Sequence, residues 1–314
     1  MTLRNAIDQY IAWRQVHGAK FVNQAYILRR WLKGVDGQAD CDAVTVAQVH
    51  AYLAGNGSLT PYRAVKYSVL AGFYRYAIGR GYASVSPLPD NEPRRQPSAP
   101  PYIYSQDELC RLFGAIDVSR QQAVKLDAHT FRTLLLLLYG AGLRSAEALG
   151  LTLADVDLAA AVLTVRDSKF HKSRLVPVGP RLADVLRTYA AERVRRPLAQ
   201  STDSAFLTNR DGSPVVQRTA RAAFAGLLRT AEVHGADDAR QSPCLHSFRH
   251  SFAVHRLTAW YRQGADVQRL LPILSTYLGH QDPAGTQVYL SMTPQLLQQA
   301  SVRFQRYASG GNDE

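Results

Sequence analysis

Six prolines fall at positions 87, 89, 93, 97, 100 and 101, with Arg94 and Arg95 between them. Proline fixes φ and lacks a backbone N–H, so no helix can continue through such a run. The stretch from 84 to 104 therefore reads as an extended linker. It divides the 314 residues into pieces spanning 1–83 and 105–314, each long enough to bury a core of its own. Directly after it, Ser105-Gln-Asp-Glu108 has the spacing of a capping box and opens the next helix.

The first piece reads as four helices. Leu3, Ile7, Ile11 and Trp13 mark the first, stopped at Gly18, and Phe21, Ala25, Ile27, Leu28 and Trp31 mark the second, stopped at Gly34. Thr45 caps a short third helix through Leu53, and Thr60-Pro61 starts a fourth that runs to Ile78. Val65, Leu70, Phe73, Tyr74 and Ala77 are its core candidates, which leaves Arg63, Lys66, Arg75 and Arg80 on other surfaces. That basic side is readable as a DNA-contacting face or, equally, as a solvated one.

The second piece reads as mainly α with a small β-sheet. Residues 161–166 and 174–178 alternate like two strands of a hairpin, with Lys169 in or beside the turn. The Leu run at 134–138 is a buried helical segment, and helices are expected at about 180–194, 216–233, 246–262 and 266–275. Thr293-Pro294 begins a final amphipathic helix over 294–307.

A net charge of +12 is shared evenly. Residues 1–100 hold 12 Lys/Arg and 6 Asp/Glu, and the remainder 25 and 19, which is +6 on each side. Both pieces can thus face a polyanion such as duplex DNA. Cys41, Cys110 and Cys244 form no paired motif, which suits a reducing cytoplasm and neither a disulfide scaffold nor a cysteine zinc site. No apolar run is long enough for a membrane span, so no membrane partner is expected.

Five short segments carry the chemistry: Gly-Leu-Arg-Ser-Ala-Glu (142–147), Ser-Lys-Phe-His-Lys-Ser-Arg (168–174), His-Ser-Phe-Arg-His (246–250), Leu-Gly-His (278–280) and Val-Tyr-Leu (288–290). Arg144 and Arg249 offer guanidinium forks that match the oxygens of a phosphodiester under attack. Tyr289 is the candidate nucleophile, and its phenol needs help to lose a proton. Lys169 is the candidate general acid for the departing alkoxide, with Lys172 the alternative on the same turn. Lys172 and Arg174 are also candidate phosphate contacts. His246 and His280 would donate to the phosphate or carry the tyrosine's proton. Glu147 would orient Arg144 or a nearby histidine, and His250 would buttress the site from behind. Zinc on His246, His250 and His255 is disfavoured, because no carboxylate motif or cysteine pair accompanies them. This inventory points to metal-free, cofactor-free breakage and rejoining of DNA.

In order and spacing, these segments resemble the boxes of the tyrosine recombinase (phage integrase) family. Gly-Leu-Arg-Ser-Ala-Glu resembles its first arginine box, His-Ser-Phe-Arg-His its HxxRH box, and Leu-Gly-His with Tyr289 its closing segment. The resemblance covers nearly the whole chain. Phe170-His171 departs from it, since many members carry smaller residues there. It implies a SAM-like core-binding bundle followed by a mixed α/β catalytic domain, and a 3′-phosphotyrosyl intermediate. It further implies paired DNA sites, such as inverted repeats, bound by a dimer or tetramer. In such assemblies the C-terminal helix docks on a neighbouring protomer, and partner recombinases or DNA-bending proteins take part. An integrase, transposon recombinase or resolvase of a mobile element is the expected role. A type IB topoisomerase and a catalytically silent DNA-binding helper are the rivals.

Overall fold

The computed structural model describes residues 1–55, 62–90, 100–120, 125–166, 173–235, 242–280, 288–291 and 301. The chain divides into two compact units, Met1–Ser98 and Ala99–Glu314.

The first unit is a helical bundle of α1 (Leu3–Val16), α2 (Val22–Leu32), α3 (Val46–Ala54) and α4 (Tyr62–Gly79). Thr2 caps α1 through the Asn5 amide, and Thr45 and Gln48 close a reciprocal box on α3. The core gathers Leu3, Ile7, Leu28, Trp31, Leu70, Phe73 and Tyr74. Val65, expected inside, is exposed on α4. It sits at the edge of the apolar stripe that Val69, Leu70 and Phe73 form.

The ends of the proline-rich stretch are tied down. Ser84 donates its amide and hydroxyl to Asp42, and the Tyr67 hydroxyl donates to the Pro89 carbonyl at 2.9 Å. Tyr102 and Tyr104 are core residues of the second unit. Tyr104 donates its amide to the Ser251 hydroxyl oxygen and its own hydroxyl to the Cys244 carbonyl.

The second unit runs α5 (Gln106–Gly114), α6 (Ile116–Arg120), α7 (Ala128–Gly140) and α8 (Ser145–Leu149). A three-stranded antiparallel sheet follows: β1 (Val156–Asp157), β2 (Val162–Val165) and β3 (Arg174–Pro177), with Leu163 opposite Val176. Then come α9 (Pro180–Val194), α10 (Gln217–Thr230), α11 (Leu245–Arg262) and α12 (Val267–Leu278). The Ser105 box on α5 forms in full. The Leu run, apart from half-buried Leu136, is buried in α7, along which α11 packs. The helix expected at about 266–275 is α12, which runs directly into Leu-Gly-His.

Gly142 is the tightest point of this packing. It has φ +60, and a Cβ there would lie 2.6 Å from Phe252 and 2.9 Å from Leu278. Only glycine accepts both that conformation and that proximity. Gly142→Ala should destabilise the second unit by about 2–5 kcal/mol through strain and overpacking. Gly226→Ala, in the open middle of α10, should instead stabilise it by about 0.5–1 kcal/mol. Urea unfolding of both variants checks the contrast; equal effects would contradict it.

Candidate active site

Leu-Gly-His is first of all a helix stop. Gly279 adopts the left-handed conformation, its amide donates to Thr276, and the His280 amide donates to Ser275. This is a Schellman motif. Two helix-end carbonyls, Tyr277 and Leu278, and the Gly279 carbonyl remain to be satisfied. Three guanidinium groups take them in turn. Arg174 Nε donates to Tyr277 at 3.0 Å, Arg249 Nη2 to Leu278 at 2.6 Å and Arg144 Nη2 to Gly279 at 3.0 Å. Cations at a helix C-terminus also oppose the negative end of its dipole.

Those arginines come from three places. Arg144 is the residue before α8, two beyond the Gly142 turn. Arg174 opens β3 and Arg249 lies on the first turns of α11. The Arg249 Nη1 also donates to the Gly142 carbonyl at 2.6 Å, so one side chain ties the α7–α8 turn to the end of α12.

Glu147 sits at their centre. It caps its own short helix by accepting the Arg144 amide at 2.9 Å, and it accepts Arg144 Nη1 at 2.7 Å. Arg174 grips both its oxygens, at 3.0 and 2.9 Å, and Arg249 stands 3.9 Å away. Burial alone would raise its pKa, but the bonds from Arg174 and Arg144 win and hold it at about 2. Burial, then Arg144, brings Arg249 down to about 10, so it remains charged at neutral pH. Three guanidiniums against one carboxylate leave the cluster positive.

His246 and His250 lie one turn apart on α11, their rings perpendicular with centroids 4.4 Å apart. His246 is open to solvent on one side and crowded by protein on the other. Desolvation, then Arg249 and Arg144, takes its pKa down to about 4. Burial, then Arg249, does the same to His280, also to about 4. Burial, then His246 and Arg249, takes His250 to about 3.

Tyr289 lies in a 3-10 turn, Val288–Ser291, and is only 3 % exposed. Its ring lies nearly parallel to His280, and its hydroxyl is 3.0 Å from Nδ1 of His250. Burial raises its pKa above the phenol value, against the pull of Arg249 and Arg144.

Arg144, Glu147, Arg249, His246, His250, His280 and Tyr289 are thus brought together. Lys169 and Lys172 lie outside the described residues, as does all but residue 301 of the helix expected at 294–307. Arg174 was expected to contact DNA. Its side chain is turned inward onto Glu147 and the Tyr277 carbonyl, because the sheet folds β3 against α12. Lys66 is likewise turned inward: its ammonium donates to the Tyr52 carbonyl at 2.8 Å and lies 4.6 Å from the centre of that ring. Arg63 is half-buried on α4. Arg75 is exposed and lines a 390 Å³ hollow with Tyr10, Trp13, Arg14, Tyr76 and Arg80. Beside His246 a second hollow of 280 Å³ is lined in part by Ser145, Gln217, Arg221 and Phe224. Gln217 and Arg221 were not singled out from sequence; the basic face of amphipathic α10 was the available signal.

The sequence profile of the phage integrase family matches residues 104–295. The protein y4rB of Sinorhizobium fredii, an integrase/recombinase candidate by name, is 36 % identical over 97 % of this chain and 98 % of its own length. The tyrosine recombinase XerD of Corynebacterium glutamicum is 31 % identical over 86 % of this chain and 85 % of its own. Among solved structures, the Tn1549 transposon integrase in complex with a circular intermediate DNA superposes with TM-score 0.68 at 17 % identity, covering 98 % of this chain and 99 % of that one. A lambda integrase dimer bound to a core site gives 0.66 at 16 %, covering 94 % and 97 %. These two show the fold. The chain belongs to the phage integrase family of tyrosine recombinases, enzymes of site-specific recombination. Among the described residues, no helix is long and apolar enough to cross a membrane.

The three depressed histidines of the site give the second unit a definite pH response. Their ordinary pKa is 6.5, so as pH falls from 7 to 5 the unfolded chain takes up protons that the folded chain refuses. Stability falls over that window. Glu147 adds a further loss below its ordinary 4.5, as pH falls towards about 2. The melting temperature of the second unit should be lower at pH 5 than at pH 7, and His280→Asn should flatten the dependence. A melting temperature that holds or rises on acidification would contradict this.

Proposed function

We propose that this chain breaks and rejoins DNA at specific sites through a covalent link to Tyr289. The reading is carried by one observation: the Tyr289 hydroxyl is near enough to Arg249 and Arg144 to feel their charge, its ring stacks on His280, and it lies within hydrogen-bonding distance of His250. A phosphodiester attacked in line gathers negative charge on its non-bridging oxygens, and pre-aimed guanidiniums stabilise that charge without reorganising. Tyr289 attacks phosphorus, a 3′-phosphotyrosyl bond forms and a 5′-hydroxyl leaves. The ester energy is kept in the link, so rejoining needs no nucleotide cofactor. Lys169, on the segment between β2 and β3, is the residue we assign to protonate the leaving oxygen.

Site specificity requires duplex DNA on both units, which the +6 charge of each supports. On the same reading the N-terminal unit is the core-binding domain, the segment around the prolines its link to the catalytic domain, and the protein acts as a dimer or tetramer on inverted-repeat DNA. The lambda integrase core-site complex and the Tn1549 integrase complex support such an assembly and a role in a mobile element.

Covalent capture tests the proposal. Nicked duplexes drawn from the DNA flanking the gene are incubated with the protein, quenched in SDS and scored for protein-linked DNA. The wild-type chain should form an adduct that Tyr289→Phe abolishes while DNA binding survives. An adduct that persists in Tyr289→Phe would show that another residue is the nucleophile. Sequence-specific binding without any adduct would favour a catalytically silent helper.

A further inference from the structure

The depressed proton affinity of the site leaves the tyrosine's own proton to be explained. A buried phenol is a poor nucleophile until something takes that proton, and three histidines stand near it. Sequence order favours His246 or His280 for this task. The geometry distinguishes them. His280 lies nearly parallel to the phenol ring, at 24° and 6.1 Å between centroids. His246 stands perpendicular to His250 and open to solvent. Nδ1 of His250 lies 3.0 Å from the Tyr289 oxygen, the reacting atom. That is within the reach required of a general base.

We propose that His250 is a catalytic residue, the base that receives the Tyr289 proton during attack on the phosphodiester. This rests on the reading of Tyr289 as nucleophile. As the Tyr289 oxygen bonds to phosphorus, the P–O5′ bond breaks and the phenol proton passes to Nδ1 of His250. The departing O5′ takes its proton from the general acid, for which Lys169 is the candidate. On rejoining, the imidazolium returns its proton to the tyrosine as the 5′-oxygen attacks.

The surroundings suit a base. The groups facing His250 are His246 and Arg249 on its own helix, His280 at the end of α12 and Tyr289 in the 3-10 turn. Burial and the neighbouring charges keep its ring neutral at pH 7, so the accepting nitrogen is free when the other nitrogen carries the hydrogen. The substrate's phosphate brings a negative charge into a cluster dominated by arginines. It thereby offsets the field that suppresses the ring's proton affinity, at the moment when the proton has to move.

His250→Asn supplies the test, because an amide oxygen can accept the phenol's hydrogen bond but cannot keep the proton. The variant should fold and bind DNA like the wild type. Single-turnover adduct formation on a nicked duplex at pH 7 should slow by about 10²- to 10⁴-fold. The deficit should shrink as pH is raised toward 10, where hydroxide replaces the ring. Free imidazole should restore part of the rate to His250→Gly, which also covers the case in which the Asn variant misfolds. Adduct formation at the wild-type rate would overturn the proposal. A faster rate would do so too, by showing that the bond merely holds the tyrosine back. A deficit equal at every pH and deaf to imidazole would reduce His250 to a packing role. Failure of the wild-type chain to form any Tyr289 adduct would overturn the underlying reading instead, and this one with it.

Discussion

The end of α12 is where the second unit is fastened. Tyr277, Leu278 and Gly279 present consecutive carbonyls, and Arg174, Arg249 and Arg144 each donate to one of them. Unfilled, such carbonyls would carry the cost of buried, unsatisfied acceptors. Filled in this way, they pull together β3, α11 and the α7–α8 turn, three elements far apart in sequence. Gly279 follows from the same arrangement, since a Cβ there would lie 2.7 Å from the Arg174 guanidinium.

A cluster of this kind repels itself, and Glu147 answers that repulsion. Its carboxylate is bonded to Arg144 and Arg174 and faces Arg249. Breaking such a buried pair leaves an uncompensated charge, which is far more costly than never having placed it there. On the proposed function, the excess positive charge that remains is what a phosphodiester would meet. After burial, it is what keeps the nearby histidines neutral, and it gives the buried phenol a downward pull from Arg249 and Arg144.

Much of this was legible in the sequence because it is written in local signals. The Thr45–Gln48 and Ser105–Glu108 boxes and Pro180 at the start of α9 are start signals that act within one turn. The arginines, histidines and tyrosine of the site were legible as an ordered set of residue types. What escaped depends on long-range pairing. Arg174 belongs to an alternating strand and looked like an outward-facing cation; its partners Glu147 and Tyr277 lie 27 and 103 residues away. The contact of His250 with Tyr289 is of the same kind, since only the turn at 288–291 brings Tyr289, 39 residues on, against it. Strand β1 has two residues, too few for alternation to register. Lys66 looked solvent-facing because nothing local reveals that Tyr52 offers it a carbonyl and a ring.

The central claim is that guanidinium geometry, beyond positive charge, readies this cleft for a phosphodiester. Arg144→Lys tests it most directly, because lysine keeps the charge but cannot hold Glu147 and the Gly279 carbonyl with separate nitrogens while still facing a phosphate. Single-turnover adduct formation should fall by about 10²- to 10³-fold, with affinity for the same duplex preserved within a few-fold. An adduct rate equal to that of the wild type would contradict the account, and charge alone would then suffice.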